Sequence, residues 1–201
     1  GLLYEINAKE RLIDYQVLVP EINRVVPFQE HPGFGLPIAV TLIDSGDGNV
    51  TSNVYSFCTQ MARVGWGIPL WRKVRPIKGQ RGNKTKLKIP TIPISGTIID
   101  KDDKGKPIMP ELRLFNLNVD NLKQISHDRL PVDDGGPGQC YFPHDVTVRQ
   151  LNELFAEREI DGLWVKGDSP NEGLDLFGYC EAGRLMLEPD RKGRGWGTEN
   201  I

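Results

Sequence analysis

Cysteine, methionine and histidine are scarce in this chain, three of each among 201 residues. The cysteines (Cys58, Cys140, Cys180) are scattered and none forms a C-x-x-C pair, which excludes a disulfide framework and the usual zinc spacings. His31, His127 and His144 are equally dispersed. On this ground no cofactor and no metal site is expected, and a reducing, cytoplasmic setting is the simplest compartment. No apolar run approaches the roughly 18 residues that span a bilayer, so no membrane partner is expected. The opening Gly1–Glu5 lacks the basic flank and apolar stretch of a secretory signal. Also missing are a Walker A loop, an EF-hand, a dinucleotide fingerprint and a nucleophile elbow. With 38% hydrophobic residues the chain has too much apolar material for a fully disordered protein. Its length suits a single domain over 1–201 with a flexible tail at 190–201.

One absence is local. From Gly48 to Ile99 there is no Asp or Glu, while Arg63, Arg72, Lys73, Arg75, Lys78, Arg81, Lys84, Lys86 and Lys88 all fall there. The net charge of −2 therefore conceals a strongly cationic third between two acidic flanks. Clustered cations generate a local field whatever the average charge, and that field attracts polyanions.

Residue patterns place the elements coarsely. Tyr15–Val19 reads as a strand ended by Pro20, and residues 27–37 as a loop rich in proline and glycine. Ile38–Ile43 reads as a short buried strand, closed by the turn cluster Asp44-Ser45-Gly46-Asp47-Gly48. Val54, Phe57, Met61 and Val64 lie at helical spacing behind the caps Thr51, Ser52 and Asn53, which predicts a helix over 53–64. Lys84–Ile89 alternates like a half-buried strand, and residues 93–99 with 108–117 read as a hairpin or meander. Thr147 and Gln150 form a capping box for a second helix with Val148, Leu151, Leu154 and Phe155 on one face. Leu163–Lys166 and Arg184–Leu187 complete the strands. The sum is an α+β, mainly β fold with a largely antiparallel sheet or partly open barrel and about two helices.

The cationic third carries the functional reading. Residues 63–88 are expected to form a cationic, Trp-flanked strand and hairpin, with a strand at Leu70–Arg75 and an exposed loop or hairpin tip at Lys78–Lys84. In it Trp66, Trp71, Arg72, Lys73, Arg75, Lys78, Arg81, Lys84, Lys86 and Lys88 supply phosphate-binding charges and rings that could stack on bases. Large aromatics usually bury, so each Trp suits the core better than a stacking platform. No recognition helix rich in Arg, Asn and Gln is visible, which favours backbone-directed contact with single-stranded or structured nucleic acid. The run Val74…Lys78-Gly79-Gln80-Arg81-Gly82, followed by Leu112-Arg113-Leu114-Phe115-Asn116, resembles the single-stranded-DNA-binding N-terminal region of plasmid antirestriction proteins, without their adjoining HExxH. Residues 185–198 resemble the pyrophosphate loop of GNAT acetyltransferases, which needs a helix and further strands after it; with four residues given after Gly197, membership of that family is not expected unless the chain is truncated.

The leading expectation is thus a non-enzymatic nucleic-acid-binding protein. An alternative from another class is a structural or interaction protein of a self-associating assembly, a phage- or plasmid-type component, adaptor or inhibitor. A third is a cysteine hydrolase using Cys58 with His144 or His127. The carboxylate groups Asp100/Asp102/Asp103, Asp133/Asp134 and Asp168/Glu172/Asp175 lie in turn-like segments where Asp is common, and carry no metal assignment.

Overall fold

The computed structural model describes residues 12–28, 31, 33–63, 74–81, 95–98, 104–106, 113–136 and 138–187. They belong to two compact units. One comprises Tyr4–Gly79 and Ile94–Leu117; the other comprises Gly1–Leu3, Gln80–Pro93 and Asn118–Ile201.

The first unit opens on a 3-10 turn, Leu12–Val17, that runs into the short helix α1 (Leu18–Ile22). This replaces the strand expected at 15–19. Pro20 lies in the first turn of α1, where its missing N–H has no helical partner to lose. Tyr15 and Ile22 are buried. Next comes a hairpin of β1 (Val25–Pro27) and β2 (Gly35–Pro37), with Val26 opposite Leu36; β2 lies inside the segment expected to be loop, and β1 ends where that segment begins.

The main sheet has the order β3-β4-β6-β5, with β3 Thr41–Asp44, β4 Val74–Gln80, β5 Ser95–Ile98 and β6 Arg113–Asn118. β3 and β4 are parallel, registered Thr41 to Val74 and Asp44 to Ile77. β5 and β6 are antiparallel. Parallel neighbours need a long crossover, and here the chain between them forms α2 (Thr51–Arg63). Val54, Phe57, Cys58 and Met61 make one helical stripe, and all four are buried. That stripe joins Tyr15, Ile22, Ile43 and Val74 in a single core, with Tyr15 stacked on Phe57 at 5.6 Å between ring centroids.

The second unit is helical. Asn118 caps α3 (Val119–Arg129), its Oδ1 accepting from the Asn121 N–H. The predicted capping box is present: Thr147 and Gln150 satisfy each other's backbone at the start of α4 (Val148–Leu154). β7 (Glu157–Ile160) and β8 (Leu163–Lys166) pair across the two-residue turn Asp161-Gly162, whose φ values of 54° and 77° are the left-handed pair that a type I′ turn requires. α5 (Glu172–Leu187) packs on α3 and α4. Its buried Gly173, Gly178 and Gly183 leave space for neighbours, and a Cβ on Gly178 would lie 3.5 Å from Leu122 Cβ.

A polar cluster ties α3, β7 and α5 together. Buried Lys123 holds Glu157 and Asp175, each at 2.7 Å, and Asn171 donates to both carboxylates. Asp120 accepts from the Trp164 N–H at 3.1 Å.

These observations correct the expected fold class. With a parallel strand pair, a helical crossover and five α-helices among the described residues, the chain is α/β rather than mainly β with two helices. Residues 184–187, expected as a strand, form the last turn of α5.

Candidate functional site

In an open α/β sheet, ligands gather at the carboxyl ends of the parallel strands, where loops leave the sheet. In the first unit that edge is the end of β3. Asp44 is its last residue and is exposed. Ser45, by contrast, is fully buried, and both its N–H and its hydroxyl donate to the Ile77 carbonyl at 2.8 Å. This double clamp fixes the peptide that follows Asp44 against β4. The Asp44 carboxylate turns back to accept the Gly46 N–H at 2.8 Å. A Cβ on Gly46 would stand 3.1 Å from Asp44 Oδ1, so any other residue here would push the carboxylate by a few tenths of an ångström. Asp47 accepts from the Asn49 N–H, and its carbonyl receives Val50 and Thr51 as α2 begins. The Thr51 hydroxyl donates back to the carbonyls of Ser45 and Asp47. A strand, a braced loop and a helix thus present two exposed carboxylates, Asp44 and Asp47.

Sequence reading treated 44–48 only as a turn. The available signal was the carboxylate at the end of a short buried strand directly ahead of a helix cap. That signal does not stand out in a sequence, because Asp is common in turns whatever its role.

Of the residues expected to bind nucleic acid, Trp66, Trp71, Arg72, Lys73, Lys84, Lys86 and Lys88 lie outside the described residues. Arg75 and Lys78 are on β4, and Arg81 is exposed just past it. Side chains alternate along a strand, so Arg75 and Lys78 point to opposite faces rather than along one ribbon. Lys78 is exposed on the face shared with Pro76 and Ile43. Arg75 shares the face of Ile77, Leu42 and Asp44. It is half-buried, with its guanidinium carbon 5.2 Å from the centroid of the Phe115 ring. Burial lowers its pKa from the ordinary arginine value by penalising the charged form. None of these three cations forms an ion pair among the described residues.

Cys58 is no nucleophile. It is fully buried in the α2 stripe, and burial pushes its thiol up to about 12. His127, which packs against Trp164 and Phe155, and His144 both belong to the other unit. Among the described residues no three His, Cys, Asp or Glu side chains converge as a metal site. Nor is any helix among them long and apolar enough to cross a membrane.

A family model described as terminase large subunit gpA, endonuclease domain, matches residues 23–194. The chain belongs to that family. No curated protein and no solved structure matches it. Membership in the gpA endonuclease family overturns the non-enzymatic expectation, since the family is of nuclease type. Nucleic-acid involvement and a phage DNA-packaging context go with the gpA family, so those coarser parts of the sequence reading stand. The matched span contains both the Asp44 loop and β4.

Proposed function

We propose that this chain is a DNA-cleaving domain of a phage packaging enzyme, with Asp44 at its reacting centre. The observation that carries the reading is the place of Asp44. It is an exposed carboxylate on the carboxyl edge of the parallel strand pair, braced by a buried serine, inside a chain of the endonuclease family.

The chemistry asks little of the protein beyond charge and position. A water oxygen bonds to phosphorus, the bond from phosphorus to one sugar oxygen breaks, and that oxygen takes up a proton from solvent. Asp44 accepts the proton that the attacking water gives up, a role worth about 10²–10⁴-fold in rate. Hard cations such as magnesium are commonly held by one or two carboxylates, with substrate phosphate oxygens and water completing the shell. Asp44 and Asp47 supply oxygen donors of that class. Such an ion would stabilise the charge on the phosphate when bound. Lys78 and Arg81 contact the DNA backbone, joined by Lys73, Lys84, Lys86 and Lys88, with Trp66 or Trp71 stacking on bases. Protein partners in a packaging assembly, and an intracellular site of action, follow from the same reading.

Nicking of supercoiled plasmid in magnesium tests it. Wild-type protein converts the plasmid to open circle. Asp44→Asn lowers that rate at least about 100-fold while keeping its melting temperature and its affinity for DNA. A wild-type chain that cleaves no DNA with magnesium or manganese overturns the reading, as does an Asp44→Asn chain that cleaves normally.

A further inference from the structure

Arg75 stands apart from the other cations of the acid-free stretch. An exposed lysine such as Lys78 keeps its hydration and needs no partner. A half-buried guanidinium has given up much of its water, and a desolvated charge is costly unless an anion answers it. Among the described residues no Asp or Glu supplies that anion to Arg75. What it has is the Phe115 ring, 5.2 Å from the guanidinium carbon to the ring centroid. A ring face offers attraction to a cation but accepts none of its five N–H bonds in-plane, and it holds the fork in a defined plane. Register adds the second observation. Arg75 pairs with Leu42 and Ile77 pairs with Asp44, so Arg75 points to the same sheet face as Asp44, two positions back along the strands. Two residues of strand span about 7 Å. With neighbouring strands about 5 Å apart, the two backbones stand about 8–9 Å from each other. A phosphodiester bound at Asp44 therefore presents its non-bridging oxygens within reach of an arginine side chain that turns from Phe115 on β6 toward β3.

We infer that Arg75 is a phosphate anchor of the reacting centre, donating to the non-bridging oxygens of the phosphodiester whose cleavage Asp44 assists. This rests on the proposed function and assigns Arg75 a role distinct from the backbone contacts of Lys78 and Arg81. Guanidinium suits it because its planar fork matches two phosphate oxygens at once, whereas an ammonium meets them as a point charge.

Plasmid nicking with Arg75→Gln, Arg75→Lys, Lys78→Gln and Asp44→Asn, each compared in kcat and KM, tests the inference. Arg75→Gln should lower kcat about 100-fold, the usual cost of one preorganised donor, with KM changed less than about threefold. Arg75→Lys should recover only part of the rate, since charge returns without the fork. Lys78→Gln should raise KM and spare kcat. Guanidinium ion added to Arg75→Ala should restore part of the lost rate. A sulfur substituted for a non-bridging oxygen at the cleaved phosphate should slow the wild type more than Arg75→Gln. Arg75→Gln cleaving at the wild-type rate, beside an inactive Asp44→Asn, removes Arg75 from the centre and leaves the proposed function intact. An active Asp44→Asn removes the proposed function itself. If Arg75→Gln unfolds while Arg75→Lys folds and cleaves normally, Arg75 only packs on Phe115 and the inference is overturned.

Discussion

Gly46 occupies one of the tightest positions of the site, for a reason unconnected with backbone strain. The added Cβ of Gly46→Ala would crowd the Asp44 carboxylate at 3.1 Å, so the carboxylate must shift by a few tenths of an ångström from the position in which it accepts the residue 46 N–H. Gly46→Ala should therefore cut plasmid nicking by up to about tenfold while changing the melting temperature little, since a 1 Å misplacement can cost about 10²-fold and this shift is smaller. Cys58 makes the opposite case, a chemically capable side chain silenced by its surroundings. Iodoacetamide should leave native Cys58 unmodified and label it once the chain is unfolded. Its folded pKa lies above the unfolded value, so the stabilisation it brings is complete below about 9. That stabilisation declines as pH rises from 9 toward 12, where the unfolded thiol ionises and the folded one does not. Urea midpoints measured across pH 8–11 should fall accordingly, and the component due to Cys58 should vanish in Cys58→Ala.

Elements were legible in the sequence where one period dominated. The α2 stripe of Val54, Phe57 and Met61 and the capping box of α4 appear as expected, within two residues. β3, β5 and β8 also lie in segments expected as strands. α3 and α5 were missed for physical reasons. The sequence of α3, VDNLKQISHDR, is mostly polar because part of its inward face is the Lys123 ion cluster and buried Ser126, which no hydrophobic pattern announces. α5 contains three glycines, usually read as helix breakers, and its apolar residues surround the helix instead of lining one face. Its burial against α3 overrides the poor intrinsic propensity. Lys123→Met should destabilise the protein by about 3–5 kcal/mol in denaturant titration, because it leaves Glu157 and Asp175 buried or half-buried without their cation. Adding Glu157→Gln should recover part of that loss.

At the scale of the whole molecule, charge layout pointed to a polyanion but not to what the protein does with it. A count of lysines and arginines is blind to strand alternation, which sends Arg75 and Lys78 to opposite faces, and it is blind to a single well-placed carboxylate. DNA affinity should fall with salt, with a log–log slope that becomes shallower by about one in Lys78→Gln, the loss of one phosphate contact. The crossover from β3 to β4 has a consequence for how the centre arises. Asp44 leaves its strand early in the chain, but the carbonyl that anchors Ser45 comes from Ile77, beyond the whole of α2. Such distant partners meet slowly, after intervening helix has formed. On the proposed function, the braced loop at Asp44 is complete only once the second strand docks, so a chain still being made would not yet cleave DNA.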